Sequence, residues 1–347
     1  MNKPKIPITV ITGFLGSGKT TLLQKILSRP EHGRLAVIEN EYGALGIDHH
    51  LLTRVEENIV IVQNGCVCCT VRSDLIDAIV GLEKRRELFD SIVIETTGLA
   101  DPIAVSQTLL TDPRLKDIVT IDSIIALVDA NLFDTNVADQ LSEFQTQIAF
   151  SDLIVLSKVD LISESKVESV RDQIQAMNAA AKIVSVTAAS AATEEIFGLA
   201  LFDSKPFRLV PQSKRSIVSG NPAHTKVFSE VIEVEGFVDP EKFHVLIEMF
   251  AGMYAEQIYR MKGIFKFKGD ASRVLVQVVR QIVTIDIVDF EVNSEVENRF
   301  VVIAKSPLFV AVAREWLKYT ANERDEFMLS RAGLPAAELN PDRQPVT

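Results

Sequence analysis

A glycine-rich segment that ends in lysine and threonine is the part of the chain best suited to chemistry. Residues 13–20 read GFLGSGKT, which fits the pattern G-x-x-x-x-G-K-[ST]. An apolar run precedes the segment and residues with helical spacing follow it, which is the context of a phosphate-binding loop. Backbone N–H groups of such a loop converge on phosphate oxygens, and the following helix N-terminus adds positive charge. The predicted nucleotide-binding residues of this segment are Gly13, Gly16, Ser17, Gly18, Lys19, Thr20 and Thr21.

Three side chains are predicted to act on the phosphates and on a magnesium ion. Lys19 is expected to reach the β- and γ-phosphates, and the Thr20 hydroxyl is expected to bind Mg²⁺. Glu95 follows the buried apolar run at 92–94. The carboxyl ends of parallel strands form the ligand edge of a sheet, so Glu95 is the predicted Walker-B acid. Gly98 is expected to direct its backbone N–H toward the γ-phosphate.

A polar tetrapeptide after a later apolar run predicts which base is bound. Residues 157–160 read SKVD and resemble the N-K-x-D guanine-recognition motif of GTPases, with Ser157 in place of asparagine. The carboxylate of Asp160 can accept hydrogen bonds from N1–H and the 2-amino group of guanine, a donor pair that adenine lacks. The stem of Lys158 is expected to lie along the base plane. Because serine cannot replace the asparagine amide fully, guanine selectivity is expected to be weaker.

All three cysteines of the chain, Cys66, Cys68 and Cys69, fall within four residues. They follow an apolar run at 59–62, so a parallel sheet places them near the phosphate loop. Two or three thiolates and a fourth ligand suit tetrahedral Zn²⁺, while Cu(I) or Co²⁺ are further options. Burial as small apolar residues and a redox role are alternatives, although C-x-C-C differs from the redox motif C-x-x-C. No cysteine elsewhere can pair with them, which excludes a secreted disulfide scaffold.

The fourth metal ligand has several candidates in an acidic segment further toward the N-terminus. Residues 39–43 read ENEYG and are expected to form a loop between the first two strands, where a switch loop lies. Glu39, Glu41, His49 and His50 carry side chains that can bind a metal. The alternative for the two acids is a solvated loop.

Composition excludes several classes of protein. The chain has 347 residues, with 36 Lys and Arg against 47 Asp and Glu, which gives a net charge of −11. An acidic chain lacks the basic surface that non-specific nucleic-acid binding needs. No apolar run approaches the roughly 20 residues of a membrane-spanning helix, and no secretory signal is evident. We therefore expect a cytoplasmic protein without nucleic-acid or membrane partners.

The first two hundred residues alternate between apolar runs and stretches with helical spacing. Runs that are apolar without alternation predict strands covered on both faces, as in a mainly parallel α/β sheet. A helix is predicted around Val71–Val80, where apolar residues recur at helical spacing. The predicted strands lie at 8–11, 59–62, 92–94, 124–128, 153–156 and 183–186.

The pattern changes after a proline-rich stretch. Runs at 227–234, 258–267, 274–279, 284–292 and 299–304 predict strands, with helices around 243–253 and from 309 to 316 or beyond. Strands in succession with a helix near each end predict an α+β unit with an antiparallel sheet. The predicted domains are a P-loop domain at 1–205, a linker at 206–224, an α+β domain at 225–322 and a tail at 323–347.

Taken together, these motifs resemble the CobW-type P-loop GTPases, the class that includes the hydrogenase and urease nickel-insertion GTPases. In the second unit, residues 260–263 (RMKG) resemble the R-x-K-G segment of the CobW C-terminal domain, and residues 299–303 resemble its last strand. The resemblance covers about residues 6 to 320. Its signals in the first unit are residues 13–20, 39–43, 65–69, 95–102 and 157–160.

The resemblance implies a GTP-dependent metallochaperone that uses GTP and Mg²⁺ and carries Zn²⁺, or Co²⁺ alternatively, to a client metalloprotein. It also implies that Asp48 senses the γ-phosphate or lies beside Mg²⁺. Arg260 and Lys262 either contact nucleotide, a partner or the other domain, or lie beside a strand without such a role. No glutamine is evident to orient the attacking water, so slow intrinsic hydrolysis is expected. Rival functions are a nucleotide-regulated binding module with structural cysteines and an ATP-using, kinase-like enzyme.

Overall fold

The structure is a computed structural model. The predicted linker at 206–224 and the predicted tail at 323–347 fall outside the residues that it describes. Within those residues, no helix combines the length and apolar character needed to cross a membrane. The described residues are 4–39, 54–56, 59–63, 72–138, 142–187, 195–202, 226–270, 272–288 and 298–321.

The chain forms two compact units. The first comprises Met1–Gln175 and Ala180–Phe207, and the second comprises Ala176–Ala179 and Arg208–Thr347. The change from one unit to the other near residue 207 fits the predicted boundary, which itself stays a prediction.

Unit 1 contains one sheet that has eight strands among its described residues. The strands are β1 (Ile6–Gly13), β2 (Leu35–Glu39), β3 (Arg54–Glu56), β4 (Ile59–Gln63), β5 (Ser91–Glu95), β6 (Val119–Asp129), β7 (Leu153–Ser157) and β8 (Lys182–Ser185). Their order is β3-β4-β2-β5-β1-β6-β7-β8. Only β3 pairs antiparallel with its neighbour, whereas all the other pairs are parallel. The predicted mainly parallel α/β sheet is confirmed.

Helices connect the strands and cover the sheet. They are α1 (Lys19–Leu27), α2 (Arg72–Glu83), α3 (Pro102–Thr111), α4 (Phe133–Ala138), α5 (Ser142–Phe150) and α6 (Glu164–Met177). Leu22, Leu23 and Ile26 of α1 pack in one core cluster with residues of six strands. All five residues of β7 are buried. Such burial on both faces explains why the strand sequences are apolar without alternation.

Two strands were absent from the sequence prediction, the short β3 and the central β2. Leu35–Glu39 is the apolar run that forms β2, and it pairs with β4 on one side and β5 on the other. The expectation that Glu39 lies in a loop is therefore wrong, because Glu39 is the last residue of this strand. Its acidic character suggested a loop, whereas a carboxylate is also favourable at a strand end that faces ligands.

Unit 2 is an antiparallel sheet with two helices among its described residues, and the predicted α+β architecture is confirmed. The elements are β9 (Phe228–Val234), α7 (Pro240–Met253), β10 (Ile258–Lys266), β11 (Arg273–Val279), β12 (Ile282–Val288), β13 (Asn298–Ala304) and α8 (Pro307–Thr320). The strand order is β12-β11-β10-β13-β9. Strand β12 begins two residues before the predicted start, and its predicted end at 289–292 lies outside the described residues.

The helices of unit 2 begin where capping residues require. The Asp239 carboxylate accepts hydrogen bonds from the N–H groups of Glu241 and Lys242, and the Ser306 hydroxyl accepts one from Phe309 N–H. A proline follows each cap at the first helical position, where its missing N–H costs nothing. The helices pack on one sheet face, and their core includes four fully buried phenylalanines, Phe250, Phe265, Phe300 and Phe309.

Gly263, the glycine of the RMKG segment, has a packing role in this core. It pairs with Phe300 across β10 and β13. A Cβ atom at Gly263 would lie 2.0 Å from Phe300 Cδ2 and 2.5 Å from the Arg299 carbonyl oxygen. The backbone contact cannot be relieved by rotating a side chain, so only glycine fits at this position.

We predict that Gly263→Ala destabilises unit 2 by about 1–3 kcal/mol or more, because the added methyl group overpacks the core. Trp316, the only tryptophan of the chain, lies on α8, so its fluorescence during urea unfolding follows this unit. Gly252→Ala is the matched control, since the added Cβ on α7 meets no atom within 4 Å apart from its neighbours in the same helix. Equal urea midpoints of unfolding for the two variants would contradict the packing role of Gly263.

Candidate functional site

The loop between β1 and α1 has backbone angles that only glycine adopts readily. Gly13, Gly16 and Gly18 have φ angles of 140°, 77° and 104°. A Cβ atom on Gly13 would lie 2.5 Å from the Leu127 carbonyl oxygen. Helix α1 begins at Lys19, directly after Gly18, with no side-chain cap on its first N–H groups. These N–H groups are therefore available to an anion at the helix N-terminus.

Ser17 gives an independent indication that the loop binds a polar ligand. Its side chain is 1% exposed, and its Oγ has no hydrogen-bond partner. A buried hydroxyl without a partner costs about 1–3 kcal/mol. A phosphate oxygen in the loop satisfies that hydroxyl together with the helix N–H groups, so the residues present fit the phosphates of a nucleotide.

Lys19 spans the loop. Its Nζ donates hydrogen bonds to the carbonyl oxygens of Gly13, at 2.7 Å, and Phe14, at 3.3 Å. Burial lowers the pKa of Lys19, and the negative charge of Glu95 opposes this shift. An anion in the loop stabilises the charged amine, so the position of Lys19 also suits phosphate binding.

Thr20 and Glu95 lie together at the carboxyl edge of the sheet. The Thr20 hydroxyl donates a hydrogen bond to Glu95 Oε1 at 2.9 Å. Parallel pairing of Ile11 with Glu95 fixes the end of β5 beside the start of the phosphate loop. A hydroxyl and a carboxylate are the hard oxygen ligands that Mg²⁺ prefers. Thr21, which follows on α1, is exposed.

The turn after β5 lies against the phosphate loop. A Cβ atom on Gly98 would lie 2.7 Å from the backbone nitrogen of Leu15, so the two backbones are in contact. Gln147 of α5 donates from Nε2 to the carbonyl oxygens of Gly98, at 3.0 Å, and Ala100, at 3.3 Å. The sequence prediction missed Gln147, because no motif surrounds it and it lies 49 residues from Gly98.

The predicted base-recognition loop is held by a second residue that the sequence prediction missed, Asp129. Lys158 has a φ of 57°, and its Nζ donates to Asp129 Oδ2 at 2.7 Å. The other carboxylate oxygen of Asp129 accepts from the N–H groups of Asn131 and Leu132. Asp160 is exposed, as a residue that meets a base must be. A carboxylate at the end of a strand was the available signal for Asp129.

Ser157 directs its hydroxyl toward the phosphate loop. Its Oγ donates to the carbonyl oxygen of Ser17 at 2.8 Å and lies 3.2 Å from that of Val128. The side chain is buried. Serine at the asparagine position therefore joins the predicted base-recognition loop to the phosphate loop.

Most of the predicted transition-metal ligands lie outside the described residues. These are Cys66, Cys68, Cys69, Glu41, His49 and His50, and the predicted phosphate sensor Asp48 lies outside them too. The backbone of Glu39 is described, and it pairs with Glu95 in β5 and with Gln63 in β4. Among the described residues there is no group of three or more His, Cys, Asp or Glu that could hold a metal.

We predict that Ser157→Ala weakens GDP binding about five- to tenfold, because it removes one buried hydrogen bond to the phosphate loop. Fluorescence titration with labelled GDP measures the effect. Ser157→Thr keeps the hydroxyl and should bind like the wild type. Ser106→Ala, which removes a buried serine bond within α3, is the control for general destabilisation.

The same titration with 7-deaza-GDP, which lacks the N7 acceptor of guanine, separates the loop contact from a base contact. We expect the alanine variant to lose equal affinity for both nucleotides. If the alanine variant loses more affinity for GDP than for 7-deaza-GDP, the Ser157 hydroxyl contacts the base instead of the phosphate loop.

Two family profiles match the chain. Residues 7–185 match the CobW/HypB/UreG nucleotide-binding domain, and residues 227–318 match the cobalamin synthesis protein cobW C-terminal domain. The zinc chaperone YjiA of Escherichia coli (strain K12) is 33% identical over 295 residues, covering 81% of this chain and 88% of the relative. The zinc chaperone CobW of Sinorhizobium sp is 31% identical over 314 residues, covering 80% and 86%.

Solved structures agree with the sequence matches. The crystal structure of Zn(II)-bound YjiA GTPase from E. coli aligns with a TM-score of 0.75 at 26% identity, over 92% of this chain and 100% of that chain. A triple mutant of that GTPase, with one glutamate and two cysteines changed to alanine, is also Zn(II)-bound and aligns with the same TM-score of 0.75, identity of 26% and coverage of 92% and 100%. The chain therefore belongs to the CobW/HypB/UreG family of P-loop GTPases and carries both the nucleotide-binding domain and the CobW C-terminal domain.

Proposed function

We propose that this GTPase is a metallochaperone that binds zinc at Cys66, Cys68 and Cys69 and delivers it to a client metalloprotein under nucleotide control. The zinc chaperones and the zinc-regulated GTPase metalloprotein activator among its relatives support zinc as the cargo. The observation that carries the proposal is the parallel register that aligns the end of β4, just before the cysteines, with Glu95.

The register limits the distance between the cysteines and the magnesium ligands. Gln63 pairs with Glu39, and Glu39 pairs with Glu95, so Gln63 and Glu95 lie two strand spacings apart, about 10 Å. Cys66 follows Gln63 by three residues, and three residues of extended chain span at most about 11 Å. Chain connectivity therefore supports a thiolate site on the same edge as the phosphate loop.

The ligand chemistry favours zinc at such a site. Zn²⁺ takes cysteine thiolates and a carboxylate in tetrahedral geometry, and Glu39 or Glu41 can complete the shell. Glu39 belongs to the strand between Gln63 and Glu95. If hydrolysis of the γ-phosphate displaces the end of this strand, the position of the candidate zinc ligand Glu39 changes as well. If GTP tightens zinc binding, zinc must tighten GTP binding by the same factor.

The residues of the phosphate loop have separate roles in GTP hydrolysis. Lys19 would neutralise charge on the β- and γ-phosphates, and Thr20 with Glu95 would hold Mg²⁺, which when bound would supply positive charge to the phosphate oxygens. Asp48 is proposed to sense the γ-phosphate. Asp160 recognises guanine. The side chain of Lys158 packs against the base, and its hydrogen bond to Asp129 holds it in place.

Two alternatives to this proposal remain, one for the metal cargo and one for the function. Thiolate ligands also accept Co²⁺, so cobalt is the alternative cargo. A nucleotide-regulated binding module with structural cysteines is the alternative function. The client metalloprotein and a cytoplasmic location stay predictions.

We predict that zinc affinity differs about fivefold or more between the GTP and GDP states, as typical coupling energies imply. The measurement is a competition titration with a chelator of known zinc affinity, using a non-hydrolysable GTP analogue or GDP with Mg²⁺. A chelator competition is needed because the triple mutant of the related GTPase is also zinc-bound in its crystal. Repeating the titration with Co²⁺ and Ni²⁺ corrects for the general affinity order of these metals.

The control is the double variant Cys66→Ser, Cys68→Ser. We expect it to lose the tight zinc site while its circular dichroism spectrum and GDP affinity stay unchanged. Equal zinc affinity in the two nucleotide states of the wild type would contradict nucleotide control. Unfolding of the double variant, with no tight zinc site in the wild type, would favour structural cysteines.

A further inference from the structure

Gln147 is a buried polar side chain that the mechanism so far does not use. It lies on α5 and is 1% exposed. Its Nε2 donates hydrogen bonds to two carbonyl oxygens of one turn, those of Gly98 and Ala100. These two residues flank Leu99, whose side chain is 67% exposed. Gln147 thus holds the turn from its buried side.

The turn is also fixed at both of its ends. Thr96 donates from its backbone N–H, at 2.9 Å, and from its hydroxyl, at 3.2 Å, to the Ile11 carbonyl oxygen of β1. Asp101 caps the start of α3 by accepting from Ile103 N–H at 2.8 Å. Gln147 adds side-chain bonds to the middle of the turn, where Gly98 contacts the phosphate loop.

The orientation of the Gln147 amide argues against a role in packing alone. The two carbonyl acceptors require Nε2 to face the turn, which leaves Oε1 buried without a hydrogen-bond partner. An unpaired buried carbonyl is costly, and an apolar side chain of similar volume would avoid that cost. The two donated bonds are therefore what distinguishes glutamine from leucine at this position.

We propose that Gln147 is a positioning residue for the γ-phosphate, because it holds the Gly98 turn where the Gly98 N–H meets that phosphate. This inference depends on the proposed function at one point, which is that Gly98 faces the γ-phosphate. GDP has no γ-phosphate, so the effect of Gln147 is confined to GTP binding and hydrolysis. The attacking water is not contacted by Gln147, which acts through the backbone of the turn.

The test compares GTP turnover and nucleotide affinity in Gln147→Leu. We expect kcat to fall roughly ten- to a hundredfold, because small displacements of catalytic groups cause losses of this size. The Kd for GDP should change less than twofold. The matched control is Gln145→Leu, which replaces another buried glutamine of α5. Gln145 is separated from Gln147 by roughly 200° around the helix, so its variant should keep the wild-type kcat.

A second variant, Gln147→Glu, gives a pH readout that a structural role would not produce. Burial and the two carbonyl oxygens raise the pKa of the introduced carboxyl group, and above that pKa it is ionised and donates no bond, so turnover is low. As the pH falls, the carboxyl group is protonated and donates one bond to the turn. We expect the ratio of its kcat to that of the wild type to rise as the pH is lowered.

Several outcomes would overturn the proposal. An unchanged kcat in the leucine variant would do so, as would equal losses in kcat and in GDP affinity. If the leucine variant fails to fold, Gln147→Met and the pH profile of Gln147→Glu decide, and a flat ratio contradicts the proposal. Failure of zinc coupling in the wild type concerns the proposed function alone, because these assays contain no zinc.

Discussion

Parallel pairing of β4, β2, β5 and β1 is the constraint on which the candidate site depends. Parallel strands end at the same edge, so the register that pairs Ile11 and Glu39 with Glu95 also fixes where the loops after these strands begin. A displacement of β5 by one residue would turn the Glu95 side chain to the opposite face and break its bond to Thr20. The buried apolar faces of the strands resist that displacement. The core of unit 1 therefore determines the chemistry at its edge.

Three loops at this edge are held by buried side chains that lie behind it. Ser157 joins the predicted base-recognition loop to the phosphate loop, Gln147 holds the turn at Gly98, and Asp129 holds Lys158. These bonds reduce the freedom that the loops lose when a ligand binds, which is the physical basis of preorganisation. The three loops surround the positions expected for phosphates and base.

The sequence predicted the parts of the site that have a fixed local pattern. The phosphate loop and Glu95 follow from spacing and from their place after a buried strand, and the cysteine cluster stays a prediction outside the described residues. Gln147 could not be predicted, because Gln145 and Gln147 are equally polar residues of one helix and only the tertiary fold selects which one reaches the turn at Gly98. Strand β2 was missed although its residues are apolar, since the acid at its end was interpreted as part of a loop. Antiparallel pairing in unit 2 followed from consecutive strands, whereas the close contact at Gly263 required the register with Phe300.

Zinc ligation by Cys66, Cys68 and Cys69 is the property on which the proposed function depends. Zinc K-edge X-ray absorption of the wild-type protein with one equivalent of zinc, in the GTP-analogue and GDP states, identifies the ligand atoms. We expect two or three sulfur ligands at about 2.3 Å in the tight-binding state. A spectrum with only nitrogen and oxygen ligands at about 2.0–2.2 Å in both nucleotide states would contradict it.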